Sequence, residues 1–255
     1  MSVKSDTVVH IVIPDTQVAP DVPTEHLSWI SRYVWDEYRE CSDLTVVHLG
    51  DHWDMPSLSS YDRGKRQMEG RRYVEDITAG ARGVDQLSKH LPEHARKVFL
   101  LGNHEHRIER AAEDNAQLDG LVTLSHVLDP LEDWGWEVYP YLAPVTIHGI
   151  VYSHFFYNPM TGRPYSGANL ETRLKTIGHS FTMGHQQGLK WGRIDTVKGP
   201  HLGLVAGSCY LHDPEYLGPQ AVSYWRGIIV KHDVDDGDYS PMFVSLSYLE
   251  RRYGW

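Results

Sequence analysis

Three short apolar runs punctuate the first hundred residues: Val8–Ile13 (VVHIVI), Leu44–Leu49 (LTVVHL) and Val98–Leu101 (VFLL). They are rich in β-branched residues and almost continuous, the pattern of strands buried on both faces. Each run stops at turn-forming residues: Pro14-Asp15, Gly50-Asp51 and Gly102-Asn103. Between the first two, Leu27, Ile30, Val34 and Tyr38 recur at helical spacing behind Thr24. That spacing predicts a helix capped by Thr24 and running to about Glu40. A second helix is predicted over about Glu69–Lys89. The order β-α-β-α-β favours an α/β sheet with right-handed crossovers.

The second half changes rhythm. Val145–Ile147 and Ile150–Ser153 flank His148-Gly149 and predict a hairpin, and Leu202–Ala206 predicts another strand. Trp225–Val234 and Tyr239–Leu246 flank Asp235-Asp236-Gly237-Asp238, where Asp-Gly is a strong hairpin signal. No repeat, low-complexity run or Pro/Gly/Ser linker divides the chain. The expectation is one domain over residues 1–255, of α/β class, with two mixed β-sheets packed as a sandwich and helices flanking them.

Composition narrows the function. Of 255 residues, 41% are hydrophobic, enough for a substantial core and incompatible with a wholly disordered chain. Lys and Arg total 24 against 34 Asp and Glu, a net charge of −10, which disfavours tight, charge-driven binding of a polyanion. The two cysteines, Cys41 and Cys209, exclude a disulfide framework and suggest a reducing, cytoplasmic setting. No apolar stretch approaches the ~20 residues that span a bilayer, so no membrane partner is expected. Met1–Asp6 is polar with no suitable apolar run behind it, so no export signal is expected. The 16 histidines direct attention to metal chemistry.

Three successive strands end at the oxygen donors Asp15, Asp51 and Asn103, and ligands of α/β sheets gather beyond the carboxyl ends of strands. Two later histidines, His154 in Tyr-Ser-His and His185 in Gly-His-Gln-Gln, can join them. The strings Gly-Asp-His-Trp-Asp (50–54), Gly-Asn-His-Glu (102–105), His154 and Gly-His-Gln-Gln (184–187) follow in that order. In this the chain resembles the calcineurin-like metallophosphoesterases, over Asp15 to Gln187 or about two thirds of its length.

The resemblance implies a two-sheet sandwich and a two-metal site. Asp51 would bridge both ions, and Asn103, His154 and His185 would hold the second. Asp15, with the residues at 17 and 187, would hold the first. The family pattern there is Asp-x-His and Gly-His-x-His, whereas this chain carries Gln17 and Gln187. Two amides in place of two imidazoles make a harder, oxygen-rich site, suited to Mn2+ or Mg2+ rather than Zn2+ or iron. The implied reaction is hydrolysis of a phosphomonoester or phosphodiester by a metal-bridging hydroxide. His104 would donate a proton to the leaving group, with Asp54 hydrogen-bonded to it.

The segment Met55–Arg72 holds five basic residues against Asp62 and Glu69, a local surplus of positive charge. It reads as a phosphate-contacting flap, with Arg63 and Arg66 as substrate contacts and Tyr61 and Trp53 as candidates to stack on a base. Arg163, in the Gly- and Pro-rich stretch 158–169, is a third candidate. This tilts the reading towards a nuclease or nucleotide phosphodiesterase. The alternative is a degenerate member that acts as a binding or scaffold module, a reading that Gln17 and Gln187 support. His179 offers a substitute ligand, and His52, His106 and His148 are structural or substrate-facing. Asp233–Asp238 lacks the acidic twelfth residue of a calcium loop, since Val244 stands there, so the hairpin reading prevails.

Overall fold

Strand β1 (Val8–Ile13) has apolar cover on both faces: Val9, Ile11 and Ile13 join one buried cluster and Val12 another. In the computed structural model, which describes residues 7–158, 160–165, 169–213 and 223–254, those clusters are two layers of core. β2 (Asp43–His48), β3 (Arg96–Leu100) and β4 (Glu137–Tyr139) continue from β1 in parallel. On its other side β10 (Gly227–Asp235) pairs antiparallel with β1, and β11 (Asp238–Ser245) with β10. The first sheet therefore has the order β11-β10-β1-β2-β3-β4.

The second sheet is built from β5 (Val145–Ile147), β6 (Ile150–Ser153), β7 (Phe181–Met183), β8 (Leu189–Thr196) and β9 (Gly199–Ala206), in the order β5-β6-β7-β9-β8. Its inner three strands are parallel and both edges antiparallel. Val12, Val47, Leu100, Ile150, Leu204 and Ile229 pack between the sheets. Each such side chain contributes about 1.5–3 kcal/mol by leaving water. Helices α1 (Glu25–Tyr38), α2 (Tyr73–Ser88), α4 (Ser125–Asp133) and α6 (Leu246–Tyr253) cover the outer face of the first sheet. α5 (Leu170–Ile177) covers the second, and α3 (Arg107–Asp114) follows β3. The fold is α/β, two mixed sheets with flanking helices, as the alternation of runs implied.

Both anticipated hairpins form, and their tips meet. His148 and Gly149 turn with φ +45° and +77°, Asp236 and Gly237 with φ +38° and +88°. The Gly237 N–H donates to the His148 carbonyl at 2.9 Å. A Cβ on Gly149 would lie 2.4 Å from the Gly237 nitrogen, so only glycine permits this contact.

Helix boundaries differ from expectation. α2 begins at Tyr73, because Gly70 at φ +81° turns the chain out of helical geometry after a short 3-10 turn at Arg66–Met68. Thr24 precedes α1, but its side chain makes no capping bond; its carbonyl accepts from Leu27 instead. α3, α4, β4, β7 and β8 are too short or too polar to announce themselves by periodicity. α5 carries a readable signature: Asn169 Oδ1 accepts from the N–H groups of Glu171 and Thr172, and Gly178 at φ +82° ends it.

Two buried histidines set an acid limit on this fold. Burial holds His26 down to about 3, and burial with the nearby Lys231 holds His10 down to about 2. Below pH 6.5 the unfolded chain takes up protons at both positions and the folded chain does not, so stability falls as pH falls. Between pH 7 and pH 5 each histidine removes about 2 kcal/mol. Urea unfolding midpoints measured across that range should drop steeply, and replacing His26 with Gln should flatten the slope.

Candidate metal centre

Asp15, Asp51 and Asn103 stand just past the ends of β1, β2 and β3, and His154 and His185 just past β6 and β7. The turn that carries Asp51 is built around the buried carboxylate of Glu105. Its Oε1 accepts the backbone N–H groups of His52 at 2.7 Å and Trp53 at 3.0 Å. Its Oε2 accepts those of Gly102 at 2.8 Å and Asp51 at 3.0 Å. One carboxyl group thus satisfies four buried donors that would each be costly to leave unpaired; burial and the nearby Asp51 raise it to about 7, against the pull of these N–H groups. A Cβ at Gly102 would lie 2.1 Å from Asp51 Oδ1, so the two ligand turns touch only because residue 102 is glycine. Gln17, Asp51 and His185 sit at φ +42°, +50° and +63°, backbone that side chains other than glycine rarely adopt.

Four ligand-type atoms converge. His154 donates from Nδ1 to the Leu49 carbonyl at 2.7 Å, which turns Nε2 inward. That nitrogen lies 3.0 Å from Asn103 Oδ1 and 3.3 Å from Asp51 Oδ2. His185 Nδ1 lies 2.8 Å from the same Asn103 oxygen. Ligand atoms of Asp51, His154 and His185 all fall within 4.8 Å of one another. Burial pulls the His154 imidazole down, but the Asp51 and Asp15 carboxylates outweigh it and lift it to about 9. Burial would lift the Asp51 carboxyl, and the positive charge of His104 and His154 drives it down instead. Burial and the neighbouring His154 lower His185 to about 4. The pocket favours positive charge, with His154 Nε2 set between two oxygen acceptors. A divalent cation fits the same donors.

Asp15 and Gln187 meet beside this cluster. Asp15 Oδ1 accepts the His185 backbone N–H at 3.0 Å, and Oδ2 accepts Gln187 Nε2 at 2.9 Å. Gln187 Oε1 is buried without a hydrogen-bond partner among the described residues. A half-turn of that amide would aim Oε1 at the Asp15 carboxylate, an arrangement that a cation between them makes favourable. Gln17 is buried and donates its backbone N–H to the Asp51 carbonyl at 2.9 Å.

His104 lies alongside. Its backbone N–H donates to Asp51 Oδ1 at 2.8 Å, and its Nδ1 lies 2.9 Å from Asp54 Oδ1. Its Nε2 is 3.7 Å from Asp51 Oδ2 and 3.1 Å from a guanidinium nitrogen of Arg107. Burial lowers the His104 imidazole, but Asp51 and Asp54 outweigh burial and raise it. Arg107 also donates to the Asp54 carbonyl at 2.6 Å. Neither Arg107 nor the role of Glu105 was legible from the motifs; Glu105 at least belongs to the Gly-Asn-His-Glu string, whereas nothing in the sequence singles out Arg107.

Past Asp54 and Arg107 opens a cleft of about 960 Å³. Tyr61, which is 81% exposed, lines it with Lys65, Arg71, Arg72 and the acidic Asp62 and Glu75. Arg63 is exposed and borders a separate hollow of about 170 Å³ with Arg110. Arg66 and Arg163 are exposed and outside the lining of the large cleft. Pro159 and residues 166–168 of the loop that carries Arg163 lie outside the described residues.

Trp53 is fully buried, which overturns its reading as a base-stacking residue. A Cβ on Gly80 would sit 1.8 Å from its ring nitrogen, so the indole is wedged against α2. His52 bridges Thr16 and the Gly80 carbonyl, His106 stacks on Tyr141, and His148 pairs with His10. His179 contacts the Ser180 carbonyl and is absent from the ligand cluster.

No family model matches the chain, and no curated protein matches it. Among solved structures it is similar to Vps29 of Entamoeba histolytica in complex with zinc, at 11% identity over 94% of this chain and 99% of that one, with a TM-score of 0.40. It is also similar to Vps29 of Chaetomium thermophilum, at 10% identity over 93% and 97%, with a TM-score of 0.37. A third is GAP50, the anchor in the inner membrane complex of Plasmodium, at 11% identity over 94% and 85%, with a TM-score of 0.34. At such identities the likeness concerns the path of the chain and not its chemistry.

The Glu105 carboxylate gives this region a sharp mutational signature. Glu105→Ala orphans four buried N–H groups and should lower stability to urea by about 3–5 kcal/mol. Glu105→Gln, which keeps one acceptor oxygen, should lose less in the same titration.

Proposed function

We propose that the chain is a metal-dependent phosphoesterase of the calcineurin-like type, which hydrolyses a phosphomonoester or phosphodiester. The observation that carries this reading is the convergence of Asp51, Asn103, His154 and His185 with the His104–Asp54 pair beside it. Asp51, Asn103, His154 and His185 would hold one divalent ion, and Asp15, Gln17, Gln187 and the shared Asp51 a second. When bound, such ions activate water and neutralise charge on the phosphate oxygens. The amide-rich first site favours Mn2+ or Mg2+. His104, its Nδ1 held by Asp54, presents Nε2 to the site and donates the proton that a leaving oxygen needs. Arg107 adds a positive charge at the same edge.

The cleft beyond Asp54 receives the leaving group. Its mixture of Lys65, Arg71 and Arg72 with several carboxylates, and the exposed Tyr61 ring, suits one nucleotide unit better than an extended polyanionic strand. A nucleotide phosphodiester is therefore the favoured substrate, ahead of nucleic acid. Both cysteines are buried free thiols, which supports a reducing, cytoplasmic setting. Among the described residues no helix is long and apolar enough to cross a membrane.

One observation favours a second reading. Both oxygens of Asp15 accept protein donors, His185 N–H and Gln187 Nε2, where a first ion would need them as ligands. On that reading the chain binds a partner or a single metal and turns nothing over.

Chelator-treated protein titrated with Mn2+ separates the two. Release of p-nitrophenol from bis-p-nitrophenyl phosphate, abolished in Asp51→Ala, is the expected result. Mn2+ binding with no release from any phosphate mono- or diester would establish the binding module instead. His104→Ala should cut turnover about 10²–10⁴-fold with Mn2+ affinity retained. The double substitution Gln17→His and Gln187→His should raise affinity for Zn2+ relative to Mn2+ in calorimetric titrations.

A further inference from the structure

Lys231 is 0% exposed and lies in the apolar layer between the two sheets. It sits opposite His10 in the β1–β10 pairing. In the facing sheet Tyr152 sits opposite Thr182 in the β6–β7 pairing. The two pairs meet across the layer. Lys231 Nζ lies 3.1 Å from Tyr152 Oη and also bonds Thr182 Oγ1. His10 Nδ1 lies 2.6 Å from the same Tyr152 oxygen. The amine is stacked over the Tyr152 and Tyr239 rings at 4.5 and 4.3 Å.

One direction of donation satisfies every link. Lys231 donates to Tyr152, Tyr152 donates to His10 Nδ1, and His10 Nε2 donates to His148 Nδ1 at 2.9 Å. His148 Nε2 then faces Asp43 Oδ2 at 3.6 Å, at the surface. A buried amine is costly, and an apolar side chain of the same length would fill the space more favourably. What the polar group adds is direction. Apolar packing is non-directional and tolerates small slides of one layer over another, whereas this chain of bonds closes in one register only.

That register matters because the metal site is assembled half from each sheet. His10 is on β1, five residues before Asp15. Tyr152 is two before His154, and Thr182 three before His185. We infer that Lys231, with His10, Tyr152 and Thr182, is a positioning cluster that fixes the offset between the sheets and so holds the Asp15–Asp51–Asn103 half of the site against the His154–His185 half. The inference rests on the metal-site reading above for its consequence, and on the sheet geometry alone for its structural content.

Lys231→Met keeps the volume and removes the directional bonds; Tyr152→Phe removes the shared hydroxyl alone. Two readouts apply to both variants. Affinity for Mn2+ alone, by calorimetry on the full chain, should fall about tenfold. Hydrogen exchange on the metal-free protein should quicken about tenfold at the His185 amide, whose proton Asp15 holds across the two sheets, while the β2 amides keep their protection. The melting temperature of Lys231→Met should not fall, which separates lost positioning from lost stability. Unchanged Mn2+ affinity and unchanged His185 exchange in both variants would overturn the inference. Should the parent chain bind no Mn2+, the metal-site reading fails, and the His185 exchange still decides whether the cluster sets the register.

Discussion

A single buried carboxyl group ties together the two turns that carry Asp51 and Asn103. Glu105 accepts N–H groups from two separate turns, the one after β2 and the one after β3. Strands in a sheet fix their neighbours' spacing through regular ladders, but those ladders end where the ligand turns begin. Beyond that point the backbone donors need another acceptor, and the two oxygens of one carboxyl group reach donors of both turns at once. Asp51 can therefore keep an unfavourable backbone conformation without collapsing towards a more comfortable one. Gly102 completes the arrangement by leaving room for the Asp51 carboxylate.

The second sheet meets these turns with imidazoles. His154 is oriented by a backbone carbonyl of the first sheet, and His185 offers its amide proton to Asp15. Each histidine is thus placed by the opposite sheet as well as by its own strand. The site is a seam. Its geometry depends on how two layers sit on one another, which is where a purely apolar interface is least specific and where the Lys231 cluster supplies direction.

Much of this was legible in the chain. The apolar runs marked β1, β2 and β3, the Asp-Gly and His-Gly pairs marked both hairpins, and the end of each ligand-bearing strand marked where oxygen and imidazole donors gather. What the sequence did not reveal follows from physics that a linear pattern omits. Lys231 in an otherwise apolar run gives no hint that its amine points inward, since strand alternation allows either face. Trp53 lies within a ligand-bearing string and reads as a site residue until Gly80 is seen beneath it. The basic surplus of 55–72 is real as composition, yet its members scatter: Lys65, Arg71 and Arg72 line the cleft while Arg63 and Arg66 turn elsewhere. Charge counted along a chain says nothing about which surface receives it.

The left-handed backbone at Gln17, Asp51 and His185 has an evolutionary consequence. Each such residue costs about 1–3 kcal/mol relative to a relaxed conformation. Glycine or asparagine would sit at these positions with less strain, so drift without a need for the side chains would be drawn towards them. At Gln17, Asp51 and His185 the most relaxed backbone and the donor-bearing side chain are therefore alternatives, and the stability of this chain and the set of polar groups at its seam pull in opposite directions.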